Sequence, residues 1–448
     1  MTLDPAEDRV PVMQCPAAYQ LHHEDGRILA RGTATVRLEE DGVAVTPESG
    51  GPILLDMRDI IDISEHDFRL HLNLVTREAL LIYDLGPRHD DFQRTLSRLH
   101  NETMIECLLK SETLRKAGVP AEFRITDEAG GPGMEGTCEA RLYETGLVIM
   151  PEKGELLRFP FSDLSGIRSE DPNLLIKTDF GERIVLTKMG RHFDAFFGAL
   201  LVAHNEVSIR TQAFLKESFP LASDSIIRRA ARLLKEGRAA GQAAIEDISP
   251  DLWLEMEEEL ASAGLSEAYE FLRALGRRER TCIGLKPAPL MSQAGNFVWF
   301  MIPIYSADPA RPGNAVVLEA SSLDGAEAVA ATYFFKIMSR KDYQETSSLE
   351  ALGLEADRQI ARINRALLAA NFQWPAIHLS DEALLDPANR EYLFNAARTP
   401  ALRELRRMFI GRVNHGAPEQ WERDVLELLA FNVTAEDDET LTPLPPRA

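Results

Sequence analysis

His-Asn-Glu occurs twice, at residues 100–102 and again at 204–206. An imidazole beside a carboxylate is the residue pairing best suited to acid–base chemistry. The spacing argues against that use. On a helix turning about 100° per residue, His100, Asn101 and Glu102 point about 80°, 180° and 280° away from Phe92 at the centre of the core face. Three side chains so arranged do not converge on one substrate, and they are read as contacts to neighbouring backbone or to the other module. Short catalytic signatures are missing elsewhere: there is no GxxxxGK[ST], HExxH or GxSxG. His22 and His23 are adjacent and would face opposite sides of a strand. His378, His415 and Cys282 are isolated in sequence, and Glu255, Glu257, Glu258 and Glu259 read as a solvated helix face. Cys15, Cys107, Cys138 and Cys282 show no metal-ligand or disulfide spacing. The sequence therefore predicts no catalytic residue, no cofactor and no metal.

The triplets sit in a larger pattern. Shifting the chain by 104 positions aligns 19–105 with 123–209 without a gap. Gly32-Thr33 meets Gly136-Thr137, Arg37-Leu38 meets Arg141-Leu142, Gly42 meets Gly146, and Pro47-Glu48 meets Pro151-Glu152. Asp59, Asp67, Gly86, Asp90 and Phe92 meet Asp163, Asp171, Gly190, Asp194 and Phe196. A tandem duplication explains this. Each copy reads as a row of short strands joined by polar breaks, such as Glu40-Asp41-Gly42. A helical period follows, carried in the first copy by Phe92, Leu96 and Leu99. Further along, Met104, Ile105 and Leu108 form a second apolar stripe, with Phe197, Leu201 and Ile209 in the other copy. A helix apolar on two sides packs on two partners. The two modules are therefore expected to contact each other through these helices, at His100, Asn101, Ile105, His204, Asn205 and Ile209.

About seven strands closed by a helix, with a turn-Gly-Val/Leu hairpin (Gly42-Val43, Gly146-Leu147), a hydrophobic strand (159–161) and an Asp-Ile/Leu step (Asp59-Ile60, Asp163-Leu164), resembles the pleckstrin-homology-like fold of the GRAM and bacterial pleckstrin-homology families. The resemblance covers about 19–216. It implies a binding module for lipid headgroups, peptides or protein surfaces, without saying which. Headgroup recognition needs clustered cations on the first two strands. Here Arg27, Arg31 and Arg37, and Arg124 and Arg141, are interleaved with acids. Residues 19–114 carry a net charge of -8 and residues 120–217 one of -5.

The 448 residues carry 71 acidic and 49 basic side chains, a net charge of -22. So acidic a chain is a poor general partner for nucleic acid. At about 100–200 residues per domain, three domains are expected. The reading is α+β: two duplicated pleckstrin-homology-like barrels, each with a C-terminal helix, then a helix-rich α+β domain. The expected boundaries are a disordered 1–17, modules at 18–118 and 119–218, a helical segment at 219–280, an α+β domain at 281–433 and a disordered acidic, Pro-rich tail at 434–448. Strands are expected at 297–305, 315–320 and 328–337, and helices at 225–240, 354–370, 382–398, 401–412 and 418–431. No family is recognised over 220–448. Acidic residues occupy the place where a signal peptide would be basic and apolar, and no membrane span is visible, so a cytoplasmic location is expected.

The functional expectation is a non-enzymatic scaffold that recognises protein partners through the tandem modules. A peripheral membrane protein using the basic faces of 225–240 and 403–412 against anionic lipid is the alternative. An enzyme with its site in 281–432 is a second.

Overall fold

The computed structural model describes residues 11–109, 112–127, 133–170, 172–287, 296–308, 310–322, 331–346 and 348–434. They form a mixed α+β structure in two compact units. One unit comprises Met1–Leu201 with Asp381–Pro400, the other Val202–Ser380 with Ala401–Ala448.

The first unit holds two seven-stranded antiparallel sheets of identical topology. Strands β1 (Met13–His22), β2 (Ile28–Leu38), β3 (Gly42–Pro47), β4 (Ile53–Asp56), β5 (Ile60–His66), β6 (Arg69–Leu74) and β7 (Ala79–Tyr83) lie in the order 4-3-2-1-7-6-5. Helix α1 (His89–Leu108) follows. The second copy repeats this with β8 (Leu114–Thr126), β9 (Met134–Tyr143), β10 (Gly146–Pro151), β11 (Leu157–Pro160), β12 (Leu164–Glu170), β13 (Asn173–Thr178) and β14 (Arg183–Thr187), in the order 11-10-9-8-14-13-12, and then α2 (Phe193–Ser218), whose residues from Val202 on belong to the second unit.

Alternation on the strands and helical spacing afterwards build each core. Leu38, Val43, Val45, Leu70, Leu72, Leu80, Ile82, Phe92 and Leu96 are buried in the first copy. Their counterparts 104 residues on, Leu142, Leu147, Ile149, Leu174, Ile176, Ile184, Leu186, Phe196 and Leu200, are buried in the second. The repeated glycine of the hairpin motif has a steric cause. A Cβ on Gly42 would sit 2.4 Å from the Leu55 carbonyl oxygen, and one on Gly146 would sit 3.0 Å from that of Phe159.

The second unit is built on six antiparallel strands in chain order: β15 (Ala240–Gly241), β16 (Cys282–Lys286), β17 (Phe297–Ile304), β18 (Ala315–Ser322), β19 (Ala331–Lys336) and β20 (Phe409–Asn414). Its helices are α3 (Asp224–Leu233), α4 (Gln242–Glu246), α5 (Pro250–Ser262), α6 (Ser266–Leu275), α7 (Arg340–Glu345), α8 (Leu349–Ala369) and α9 (Trp374–His378), then α12 (Pro400–Met408) and α13 (Pro418–Thr434). Helices α10 (Asp381–Leu384) and α11 (Arg390–Arg398) belong to the first unit. Strand β17 lies between β16 and β18 with nearly every residue buried, as its unbroken apolar run requires.

Several expectations are corrected. Residues 13–17 are not outside the fold: they open β1, whose inward positions Cys15 and Ala17 are too small to give a strong strand signal. Pro16 fits there because β7 pairs with β1 only from Ala18 onward. The 219–280 segment is not a separate helical piece, since its apolar residues share one core with β16 to β20. The helix expected over 401–412 stops at Met408, and Phe409–Asn414 pairs with β19 as a strand. The helix expected over 382–398 is broken by the 3-10 turn Pro387–Asn389. The tail at 435–448, the first ten residues and 328–330 of the expected 328–337 strand lie outside the described residues.

Candidate functional site

Helix α1 spends Phe92, Leu96 and Leu99 on its own core, which leaves Asp90, Arg94, Asn101, Met104, Ile105 and Leu108 on its outer side. The loop joining β10 to β11 runs along that side. Lys153 Nζ donates to Asp90 Oδ1 (3.1 Å). Arg94 Nε lies 3.4 Å from Glu152 Oε2. Asn101 is 0% exposed; its Nδ2 donates to the Gly154 carbonyl (3.1 Å), and the Leu156 N–H donates to its Oδ1 (3.2 Å). Gly154 holds φ +106°, a backbone conformation open to glycine and costly for other residues. The Lys153 hydrogen bond holds the exposed Asp90 carboxyl below the usual carboxylate range.

Deeper in, Arg141 donates Nη1 and Nη2 to both Glu102 oxygens (2.8 and 2.6 Å) and Nε to Glu139 (2.5 Å). The Glu102 bonds raise an already high guanidinium pKa further. Met104, Ile105, Cys107 and Leu108 pack with Tyr143, Val148, Met150 and Leu156 of the second copy. As a result β10 is buried on both faces, whereas β3 is exposed or half-buried at its end. The linker is fixed too. Glu112 accepts from the Thr145 N–H (3.1 Å), Thr145 Oγ1 (2.6 Å) and Arg158 Nη2 (3.1 Å), with the Arg158 and Glu112 side chains only 5% and 4% exposed.

A second element covers α1. Helix α11 lies in the groove formed by β5, the 3-10 turn Met57–Asp59 and α1. Phe394 is 1% exposed and meets the His100 ring edge-on, with centroids 4.9 Å apart. Asn395 is 0% exposed and donates Nδ2 to the Cys107 carbonyl (3.3 Å), one of the last-turn carbonyls that lack helical partners. Arg390 Nη2 approaches Asp59 Oδ1 at 3.5 Å. Burial pushes the Asp59 carboxyl up, and Arg390 opposes that shift. Beside this contact lies a cleft of about 450 Å³ lined by Asp56, Arg58, Glu106, Cys107, Arg390 and Glu391 among others.

The two copies of the triplet fare differently. His100 is buried with Nε2 2.8 Å from the Ile60 carbonyl, so its ring N–H donates within its own module. Asn101 and Ile105 reach the second copy, and Glu102 reaches Arg141 there. The three neighbours thus point three ways. In the other copy His204 is half-buried, Asn205 is exposed and Ile209 is 63% exposed. The expected helix-to-helix contact is corrected accordingly: α1 packs on the β10–β11 side of the second sheet. The physical reason is that β10 and its loop offer Val148, Met150 and Leu156 plus a free backbone carbonyl at the required spacing.

Sequence reasoning missed one cluster in the second unit. Glu319 lies at 0% exposure in β18, with Oε1 2.8 Å from His415 Nε2. Thr332 Oγ1 donates to Glu319 Oε2 (2.8 Å) and accepts from Trp421 Nε1 (3.1 Å). The signal was a lone carboxylate inside the apolar run of β18. The arrangement orients an imidazole, but Thr332 is buried and its hydroxyl is committed, so it is not placed as a nucleophile. Burial pushes the Cys282 thiol up to about 12, which also removes it as one. His378, lowered to about 4 by burial, stays neutral at physiological pH. Arg406 donates to the Ala376 and Ile377 carbonyls (3.1 and 3.3 Å), so the basic run at 403–412 is partly committed to the fold.

Among the described residues no group of three or more His, Cys, Asp or Glu side chains gathers to hold a metal ion. Among them, too, no helix is long and apolar enough to cross a membrane. No protein-family model matches the chain, and no curated protein matches it in sequence.

Proposed function

We propose that this chain is a non-enzymatic, cytoplasmic binding scaffold whose tandem pleckstrin-homology-like modules recognise other proteins. The strand order 4-3-2-1-7-6-5, with a helix after the seventh strand in both copies, supports the module assignment. The observation that carries the functional reading is α11. A helical segment from nearly 300 residues downstream of α1 is seated on the first module through an aromatic anchor, an amide and an ion pair, which is how a module reads a protein segment. The acidic balance of both modules favours protein over anionic lipid.

The test is affinity capture from native lysate on the full chain over a salt series, followed by crosslinking mass spectrometry. A stoichiometric protein crosslinked within 13–201 is the expected result. Retention of lipid alone, or crosslinks confined to 202–434, sinks the reading.

A further inference from the structure

Helix α11 is the element that the chain's order does not account for. The residues before Asp381 and after Pro400 belong to the other compact unit, yet 381–400 belongs with the duplicated modules. The groove that receives it is lined by residues distant in sequence, and Phe394 joins the apolar cluster of Met104, Cys107 and Leu108 there. The His100 ring and the Cys107 carbonyl are supplied by α1, and Asp59 ends the 3-10 turn that leads into β5. Asp56, Asp59 and Glu106 give that side an acidic rim, relieved by Arg58. Against it α11 sets three anchors: Arg390, then Phe394 and Asn395 one turn later.

We propose that this groove is a receptor for a helix of another protein carrying an arginine one turn before a Phe-Asn pair, and that α11 is an internal ligand which such a helix displaces. This rests on the protein-recognition reading above and specifies its ligand. Charge complementarity argues for a basic rather than an acidic helix. The anchors argue for a helix rather than an extended strand: adjacent residues of a strand point to opposite faces, whereas on a helix Phe394 and Asn395 lie about 100° apart and reach the His100 ring and the Cys107 carbonyl of one groove. Tethering gives α11 an effective concentration in the millimolar range, so a displacing helix must be tight or locally concentrated. The groove therefore answers to strong partners only.

The probe is a fluorescein-labelled synthetic peptide of residues 386–400. The proteins are the full chain and its Phe394→Ala/Asn395→Ala variant, in which α11 is weakened. The variant is expected to bind the peptide saturably, and the unmodified chain roughly tenfold or more weakly, because its own α11 competes. Adding Asp59→Arg to the variant should abolish binding. A second measurement uses the unmodified chain alone, in case the variant fails to fold. In hydrogen exchange, α11 amides should exchange ahead of those of α1, and excess peptide should speed α11 without changing α1. Protection of α11 equal to that of α1 and unmoved by peptide, or no peptide binding by a folded variant, overturns the proposal. A doubled mass on weakening α11 would assign the groove to a second copy and overturn it too. Peptide binding without any lysate partner would leave the groove assigned and count against the scaffold reading alone.

Discussion

The two copies share a fold and a core, and they part company on their outer faces. Where α1 presents Met104, Ile105 and Leu108, α2 presents Ser208, Ile209 and Gln212. Where the second sheet offers Tyr143, Val148, Met150 and Leu156, the first has Glu39, Ala44, Thr46 and Pro52. Pro52 also lacks the N–H with which Leu156 meets Asn101. The difference teaches that duplication preserved the positions which fold a module, while the positions that join two modules were kept on one face of each copy only.

Breaking that asymmetry should be most costly at its apolar centre. Ile105→Asp should destabilise the first unit by about 4 kcal/mol or more, while Ile209→Asp should stay within about 0.5 kcal/mol. Urea unfolding followed by hydrogen exchange of β10 amides reads both, and equal effects would erase the distinction drawn here. Next comes the linker. Glu112→Leu leaves the Arg158 guanidinium buried without its carboxylate, at about 3 kcal/mol on the same readout. Asn101→Ala strands the Gly154 carbonyl and Leu156 N–H, for about 1–3 kcal/mol. Asn205→Ala, at an exposed site, should change stability by less than about 0.5 kcal/mol.

The smallest effect is electrostatic. Asp90 is held below the ordinary carboxylate range, so its stabilising contribution is present above that range and is lost as pH falls through the lowered folded-state value. Lys153→Met should return the Asp90 titration, followed by carboxyl NMR, towards the ordinary value. An unchanged titration would mean that the loop does not engage α1 in solution.

Much of the first unit was legible because its information is local. Alternation on Leu70 and Leu72, helical spacing on Phe92, Leu96 and Leu99, and a glycine that the next strand forbids to grow a side chain are all visible in a single copy. The repeat doubled each signal. The joint is half legible: Ile105 lies apolar on the side away from its own core, but nothing in the helix says that a loop carbonyl answers Asn101. The seating of α11 and the Glu319–His415 pair were not legible, because both join segments nearly a hundred residues apart or more, through one or two side chains each. Strand β20 was hidden by brevity, since its six residues follow directly on a basic helix.

A joint in which the helix of one copy grips the sheet of the next is head-to-tail, and a head-to-tail contact leaves one gripping face and one gripped face over at its ends unless the copies close into a ring. Left unmodified, a third copy could have been added by the same grip, and then a fourth, as in a growing fibre. Ser208 and Gln212 on α2, with Glu39, Thr46 and Pro52 at the other end, stand where the joint has apolar side chains, as polar residues do on the terminal members of repeat arrays. Neither end carries the apolar set that would grip a further copy.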